Sequence, residues 1–271
     1  MSTADPGRLL AVDIGNHQIK LGLFASDSGG LPQPAQTWQV PTRQRDFDRL
    51  ASLLPLDSLT WRTATVHRQA ERELAAWVQA RRPGDGYRLL RNDDLPLAIH
   101  VEQPQRVGTD RLLAAVAVNR LRAPNRPAIV VDAGTAITVD LVSAAGAFEG
   151  GVILPGFRLA ARALSEGTDL LPEVDDDPVS GPPPVVGKST MAAIRSGLFW
   201  GSVGAVGELV RRISDQLGAI PLVFVAGGDA ERLAAYLPQV QVVPELVLAG
   251  IALSAGCSRV RRRDGNSAAA N

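Results

Sequence analysis

Leu9-Leu10-Ala11-Val12-Asp13-Ile14-Gly15-Asn16 is an apolar run that enters an Asp-x-Gly turn, and a second apolar run, Ile19-Lys20-Leu21-Gly22-Leu23-Phe24, leaves it. Two strand-like runs joined through a turn of this kind read as a β-hairpin. The pattern returns as Ala128-Ile129-Val130-Val131-Asp132-Ala133-Gly134-Thr135, followed by Ile137-Thr138-Val139-Asp140-Leu141-Val142. Recurrence at equivalent places points to a duplicated architecture. We read two α/β halves, residues 8–121 and 127–256, with Arg122-Ala123-Pro124-Asn125-Arg126-Pro127 between them. Each is close to the roughly 100–150 residues of an ordinary domain. Apolar residues at helical spacing predict helices over 46–54, 69–81 and 110–121 in the first half, and over 158–164, 190–217 and 245–257 in the second. Residues 220–226 read as a buried strand running into Gly227-Gly228. Residues 172–184, with Asp175-Asp176-Asp177 and Pro182-Pro183-Pro184, read as a surface loop, and the Arg-rich then small and polar tail, 258–271, as disordered.

Composition narrows the function. The chain has 271 residues, 45% of them apolar, which allows a sizeable core. Its 28 basic residues are balanced by 28 acidic ones, so no bulk positive charge draws it to nucleic acid or an anionic membrane. Only Lys20 and Lys188 of the basic residues are lysine. A single cysteine, Cys257, excludes a disulfide framework or a cysteine-based zinc site and fits a reducing compartment. His17, His67 and His100 are too scattered to suggest a histidine-rich metal site. No apolar run approaches the roughly 18–20 residues of a membrane span, and residues 1–7 are too polar for a signal peptide, so a cytoplasmic protein is expected.

The two hairpins carry the strongest chemistry. Glycines that let backbone N–H groups close on a phosphate, with a carboxylate nearby to hold hydrated magnesium, suit a nucleotide clamped from both sides. A single Asp-x-Gly is ordinarily just a turn; its duplication favours the phosphate reading. Neither hairpin carries G-x-G-x-x-G ahead of a helix, and no Walker A sequence occurs. Gly108-Thr109-Asp110-Arg111 opens the helix that continues from Leu112. Asp110 there is either a helix cap or part of an anion site at the helix N-terminus, while Arg111 has less structural reason to stand in a first turn. Gly150-Gly151-Val152-Ile153-Leu154-Pro155-Gly156 lets backbone approach either a ligand or a neighbouring segment. Thr190 reads as a helix cap with a binding role open to it, and Gly227-Gly228 suits contact with a flat nucleoside. His67 and His100 read as structural or exposed, and the four tryptophans as packing residues.

In this order the motifs resemble those of the type III pantothenate kinases, relatives of the Bvg accessory factor proteins. Asp13-Ile14-Gly15-Asn16 is similar to the family's first phosphate motif, Gly108-Thr109-Asp110-Arg111 to its substrate motif, and Asp132-Ala133-Gly134-Thr135-Ala136-Ile137-Thr138-x-Asp140 to its second phosphate motif. Gly150-Gly151-x-Ile153-x-Pro155-Gly156, Thr190-x-x-Ala193-Ile194-x-Ser196-Gly197 and Gly227-Gly228 complete the series, so the resemblance covers about Leu9 to Gly256. It implies an actin-like fold of two ribonuclease-H-like halves, a homodimer, and transfer of the ATP γ-phosphoryl group to the primary hydroxyl of pantothenate. It also implies magnesium with the nucleotide and a monovalent cation, potassium or ammonium.

Carried over by resemblance, Asp110 is the general base, Gly108, Thr109, Arg111 and Thr190 hold pantothenate, and Asp132 binds the monovalent cation. Asp13, Ile14, Gly15, Asn16, His17, Gln18, Ile19, Lys20 and Thr135 contact ATP. Two positions depart from the family pattern: His17 stands where Thr or Ser is usual, and Val101 where many members carry a pocket-lining Tyr. The alternatives are a non-catalytic regulatory relative and a kinase of another small hydroxylated substrate. Intact Asp110 and Arg111 favour catalysis.

Overall fold

The structure, a computed structural model, describes residues 8–25, 29–175 and 181–255. Strands β1 (Arg8–Ile14) and β2 (Gln18–Phe24) form the first hairpin, with Asp13 opposite Lys20. β3 (Gln36–Pro41) pairs antiparallel with β2, while β4 (Leu59–Thr65) and β5 (Gly86–Leu89) continue the sheet in parallel beyond β1, giving the order β3-β2-β1-β4-β5. Helices α1 (Phe47–Leu53) and α2 (Arg68–Arg81) lie between these strands in sequence, and α3 (Thr109–Leu121) leads to the second sheet. There β6 (Ala128–Ala133), β7 (Ala136–Val142) and β8 (Phe148–Pro155) form an antiparallel meander. After α4 (Phe157–Glu166) and α5 (Thr190–Leu217) come β9 (Leu222–Ala226), α6 (Ala230–Ala234), β10 (Val240–Val242) and α7 (Leu246–Ala255). Read from its meander edge, the second sheet is β8-β7-β6-β9-β10, the topology of the first repeated. The α/β fold of two similar halves is therefore the one observed.

Period-two alternation sorts each strand's side chains between two cores. On β1 and β2, Leu10, Val12, Ile14, Ile19, Leu21 and Leu23 pack outward with Phe47 and Leu50 of α1 and Leu74 and Val78 of α2. On β6 and β7, Ile129, Val131, Ile137 and Val139 pack outward with Phe157, Phe199 and Val206. The inner faces, carrying Ala11, Phe24, Val130 and Val142, meet α3 and α7 in one continuous central core. Both helices are apolar around much of their circumference: Leu112 to Val118 of α3 are all buried, as are Leu246, Leu248, Ala249 and Ile251 of α7. A helix of that kind belongs inside, between two layers. Gly250 brings the two together, since a Cβ there would fall 2.1 Å from the Leu113 carbonyl oxygen.

The helices follow the sequence periodicity closely, and α5 spans 190–217 as read. Asp46 caps α1 and His67 caps α2, through side-chain acceptance from Arg49 N and Ala70 N. Thr190 is not a cap. Ser189 takes that role, accepting from Ala192 N at 3.2 Å, and Thr190 is the first helical residue, exposed to solvent. Within 172–184 the described residues carry no helix or strand. The disordered-tail reading, Cys257, Asp176 and Asp177 lie outside the described residues.

Candidate active site

The same alternation that buries Val12 and Val131 outward turns Asp13 and Asp132 inward, one at the end of each central strand. Lys20 faces inward opposite Asp13, and Thr138 opposite Asp132. Between the sheets, the first turn of α3 brings Asp110 into the same field: it is the leading charged neighbour of both Asp13 and Asp132. Three carboxylates from three separate stretches of chain thus converge on one end of the central core. Burial, then Asp110, push Asp13 up to about 7 despite the opposing Lys20. Burial and Asp110 likewise raise Asp132 to about 6. Burial also raises Asp110, against the favourable hydrogen bond from the Arg111 amide. Such crowding of like charge out of water is costly unless a cation or proton shares the site.

Local geometry fixes Asp110. Gly108 is the N-cap of α3 and contributes no side-chain cap, while Asp110, two residues on, curls back so that its Oδ1 accepts from Arg111 N at 2.8 Å. A Cβ on Gly108 would lie 2.5 Å from that oxygen, so this glycine clears the carboxylate's place. The Thr109 hydroxyl donates to Asn92 Oδ1 at 2.8 Å, and Asn92 Nδ2 in turn donates to the carbonyls of Pro104 and Val107. Thr109 therefore anchors the loop ahead of α3 through a residue, Asn92, that no sequence motif singled out. The Arg111 guanidinium forms an ion pair with Asp140 of β7.

The hairpin tips meet across the cleft. His17 Nδ1 and Thr135 Oγ1 are 2.8 Å apart, and both residues are exposed. Each turn is supported from a neighbouring element in an equivalent way. Thr42, just beyond β3, donates its hydroxyl to the Gly15 carbonyl at 2.9 Å and its N–H to the His17 carbonyl at 2.9 Å. Gly156, just beyond β8, donates its N–H to the Thr135 carbonyl at 3.0 Å. Gly15 closes the first turn through an N–H bond to the Gln18 carbonyl, and Gly134 closes the second through one to Ala136. Asn16 and Gln18 are exposed at the first tip, whereas Ile14 and Ile19 are fully buried and offer the cleft only backbone.

The remaining glycines divide. Gly151, Gly156 and Gly227 serve close packing: a Cβ would come 2.2 Å from Asp140 Oδ1, 2.3 Å from the Gly134 carbonyl and 2.4 Å from the Ala133 carbonyl, respectively. Gly227 also has φ +97, a conformation that favours glycine. Gly228 faces open space. Among the described residues no hydrogen bond ties Thr190 to the carboxylate cluster, and no three acidic, histidine or cysteine side chains stand close enough together to enclose a metal ion by themselves. His100 pairs with Glu149 at 3.1 Å on the outside of the fold.

A family model for type III pantothenate kinase matches residues 9–212. The chain is 36% identical over 248 residues to a type III pantothenate kinase of Thermus thermophilus, covering 90% of this chain and 96% of that one. It is 35% identical over 272 residues to type III pantothenate kinase 1 of Symbiobacterium thermophilum, with 90% and 95% covered. Among solved structures, a Campylobacter jejuni protein assigned to the Baf family of transcriptional activators superposes with a TM-score of 0.59 at 18% identity, covering 90% of this chain and 96% of that one. A Sinorhizobium meliloti protein assigned as a 2-dehydro-3-deoxygalactonokinase gives a TM-score of 0.51 at 14% identity, covering 91% and 98%. These structural likenesses concern the fold alone.

Proposed function

This chain belongs to the type III pantothenate kinase family, and from that premise we propose that Asp110 is the residue that takes the proton from pantothenate. The reaction is ATP-dependent phosphorylation of the pantothenate primary hydroxyl to 4′-phosphopantothenate, the first step of coenzyme A biosynthesis. The observation that carries the assignment of Asp110 is its place on the first turn of α3, within the field of both Asp13 and Asp132 and between two facing glycine hairpins.

Phosphoryl transfer asks chiefly for alignment of the two oxygens and for neutralised charge, because the transition state is loose. The nucleotide phosphates would bind against the backbone of Asp13 to Gln18 and the side chain of Thr135, taking the place of the contact between His17 and Thr135, with Lys20 supplying positive charge. Asp110 orients the pantothenate hydroxyl and accepts its proton as the bond to phosphorus forms. A carboxylate raised by burial is a better base than a free one, and a loose transition state demands no stronger base. Gly108, Thr109, Arg111 and Thr190 are the residues that hold pantothenate.

The residues fit the expected cations. Burial and mutual repulsion penalise the charges of Asp13, Asp110 and Asp132, which a cation would relieve, and magnesium, which commonly keeps several waters, would need only one or two of these carboxylates together with phosphate oxygens. Asp13 stands beside the phosphates, and Asp132 is the ligand for potassium or ammonium. When bound, these cations neutralise charge on the transferring group.

We place the dimer contact on β8, α4 and the start of α5, where Ile153, Leu159 and Met191 are exposed large apolar residues, Met191 following Thr190 in sequence. Light scattering on the purified protein should give twice the chain mass. A cytoplasmic setting accords with the absence of any helix, among the described residues, long and apolar enough to cross a membrane. The deciding assay is formation of 4′-phosphopantothenate from ATP and pantothenate with magnesium, comparing potassium or ammonium with sodium. Cation-stimulated product supports the whole reading. Folded protein that binds ATP and yields none would move it to a regulatory relative or another hydroxylated substrate.

A further inference from the structure

Arg111 enters the cluster already engaged. Its Nε donates to both oxygens of Asp140 at 3.1 Å, its Nη2 also bonds Oδ1, and the guanidinium carbon lies 5.5 Å from the centre of the Phe148 ring. Asp140 is 1% exposed, and its Oδ2 also accepts from Thr138 Oγ1 at 3.2 Å. Gly151 of β8 leaves room for it, since any Cβ would fall 2.2 Å from Oδ1. The pair joins α3 to β7, and so joins the stretch that carries Asp110 to the sheet that carries Asp132.

Stability gives a weak reason for such a pair. A buried ion pair recovers little more than its own desolvation, and an apolar pair of the same volume commonly does as well. What it does fix is direction. With Nε and one Nη2 hydrogen committed to Asp140, only Nη1 and the second Nη2 hydrogen remain for a ligand. The Phe148 ring restricts rotation of the plane further.

We propose that Asp140 is a positioning residue for phosphoryl transfer: it holds the Arg111 guanidinium in one orientation beside Asp110, so that the open edge of Arg111 receives pantothenate. This rests on the assignment of Arg111 to pantothenate made above. A mobile arginine would still bind an anion, but it would not register the hydroxyl against Asp110.

The test is a double-mutant cycle on the full chain, with kcat/KM for pantothenate and the ATP dissociation constant by calorimetry as readouts. Asp140→Asn keeps the shape and one acceptor oxygen. It should lower kcat/KM for pantothenate about 100-fold, the scale of a misplacement of about 1 Å. ATP affinity should stay within about twofold. In an Arg111→Ala background the same substitution should cost less than about threefold more, because its effect has no route left. If Asp140→Asn does not fold, Thr138→Val, which removes one hydrogen bond to Oδ2, should cost about fivefold and lose that effect in Arg111→Ala. Losses that multiply in the cycle, or a matching loss of ATP affinity, would overturn the role of Asp140 while leaving the kinase reading intact. A folded wild-type protein that does not phosphorylate pantothenate would overturn both.

Discussion

Asp13 keeps its proton to about pH 7 because burial and the Asp110 carboxylate both penalise its charge. In the unfolded chain the same group releases that proton near its ordinary value of 3.8. Between those two values the folded protein holds a proton that the unfolded one has lost, so the contribution of Asp13 to stability falls as pH rises through the window. Asp13→Asn has no such proton. Its melting temperature should therefore rise relative to wild type as pH goes from 5 to 8 in cation-free buffer, by roughly 2–4 °C for each kcal/mol recovered. Calorimetry across that range checks it, and a gap that shrinks with pH would mean that Asp13 is not held neutral. Asp110→Asn should behave differently. Turnover should fall by at least about 100-fold, the lower end for loss of a general base, while the ATP dissociation constant stays within about threefold; retained turnover would remove Asp110 from the mechanism. That Asp13 and Asp132 stand at equivalent places in two hairpins was legible in the sequence, because each ends an apolar run; that both face inward was not, because those runs are apolar on both faces. The partner of Arg111 was not: Asp140 stands within a quoted motif, yet nothing in one-dimensional order says that a residue of α3 reaches β7. Asn92 and Thr42 escaped for the same reason, since their bonds join loops distant in sequence.

At the scale of elements, the second hairpin is set by what packs beneath it. Gly156→Ala would drive a Cβ to within 2.3 Å of the Gly134 carbonyl and 2.6 Å of the Thr135 carbonyl, both backbone atoms that cannot rotate aside. The tip must move, and a loss of about 1–3 kcal/mol in urea unfolding is expected, with weakened ATP binding. Gly228→Ala is the contrasting case, since a Cβ there meets nothing within 4 Å. It should change stability by less than about 0.5 kcal/mol. A loss of ATP affinity without loss of stability would mark Gly228 as a nucleoside contact, and a large stability loss would contradict the open space described. Sequence patterns served the elements unevenly. The two hairpins and the long helices carried clear periodicity, whereas β5 and β10 are short, half-exposed edge strands with little apolar signal. The Gly150 to Gly156 stretch left ligand and neighbouring backbone open as reasons for its glycines; at Gly151 and Gly156 the reason is neighbouring protein.

For the whole molecule, one central core serves both halves. Ala11 and Ala64 of the first sheet, Val130 and Phe224 of the second, and the buried faces of α3 and α7 belong to a single apolar cluster. Neither sheet can lose its inner packing without exposing the other. Urea unfolding should therefore be one transition. Three of the four tryptophans, at 38, 61 and 77, weigh fluorescence toward the first half, although Trp200 of α5 also contributes, while α5, 28 residues long, weighs far-UV dichroism toward the second. The two curves should superimpose, and a split would mean that the halves are independent. Apolar residues all round α7 mark it in sequence as a buried helix, but they do not say that it lies against β1, β2 and β4 of the opposite half. That shared layer bears on ancestry. A lone half would expose the inner face of its sheet and one side of its last helix, so it could persist only by meeting another copy, and would come apart on dilution. Joining two copies through residues 122–127 makes the encounter intramolecular, governed by a tether and not by abundance. Fusion also breaks an obligation. In a pair of identical copies every substitution appears twice; within one chain the two tips can differ, as they do here with His17 on one and Thr135 on the other.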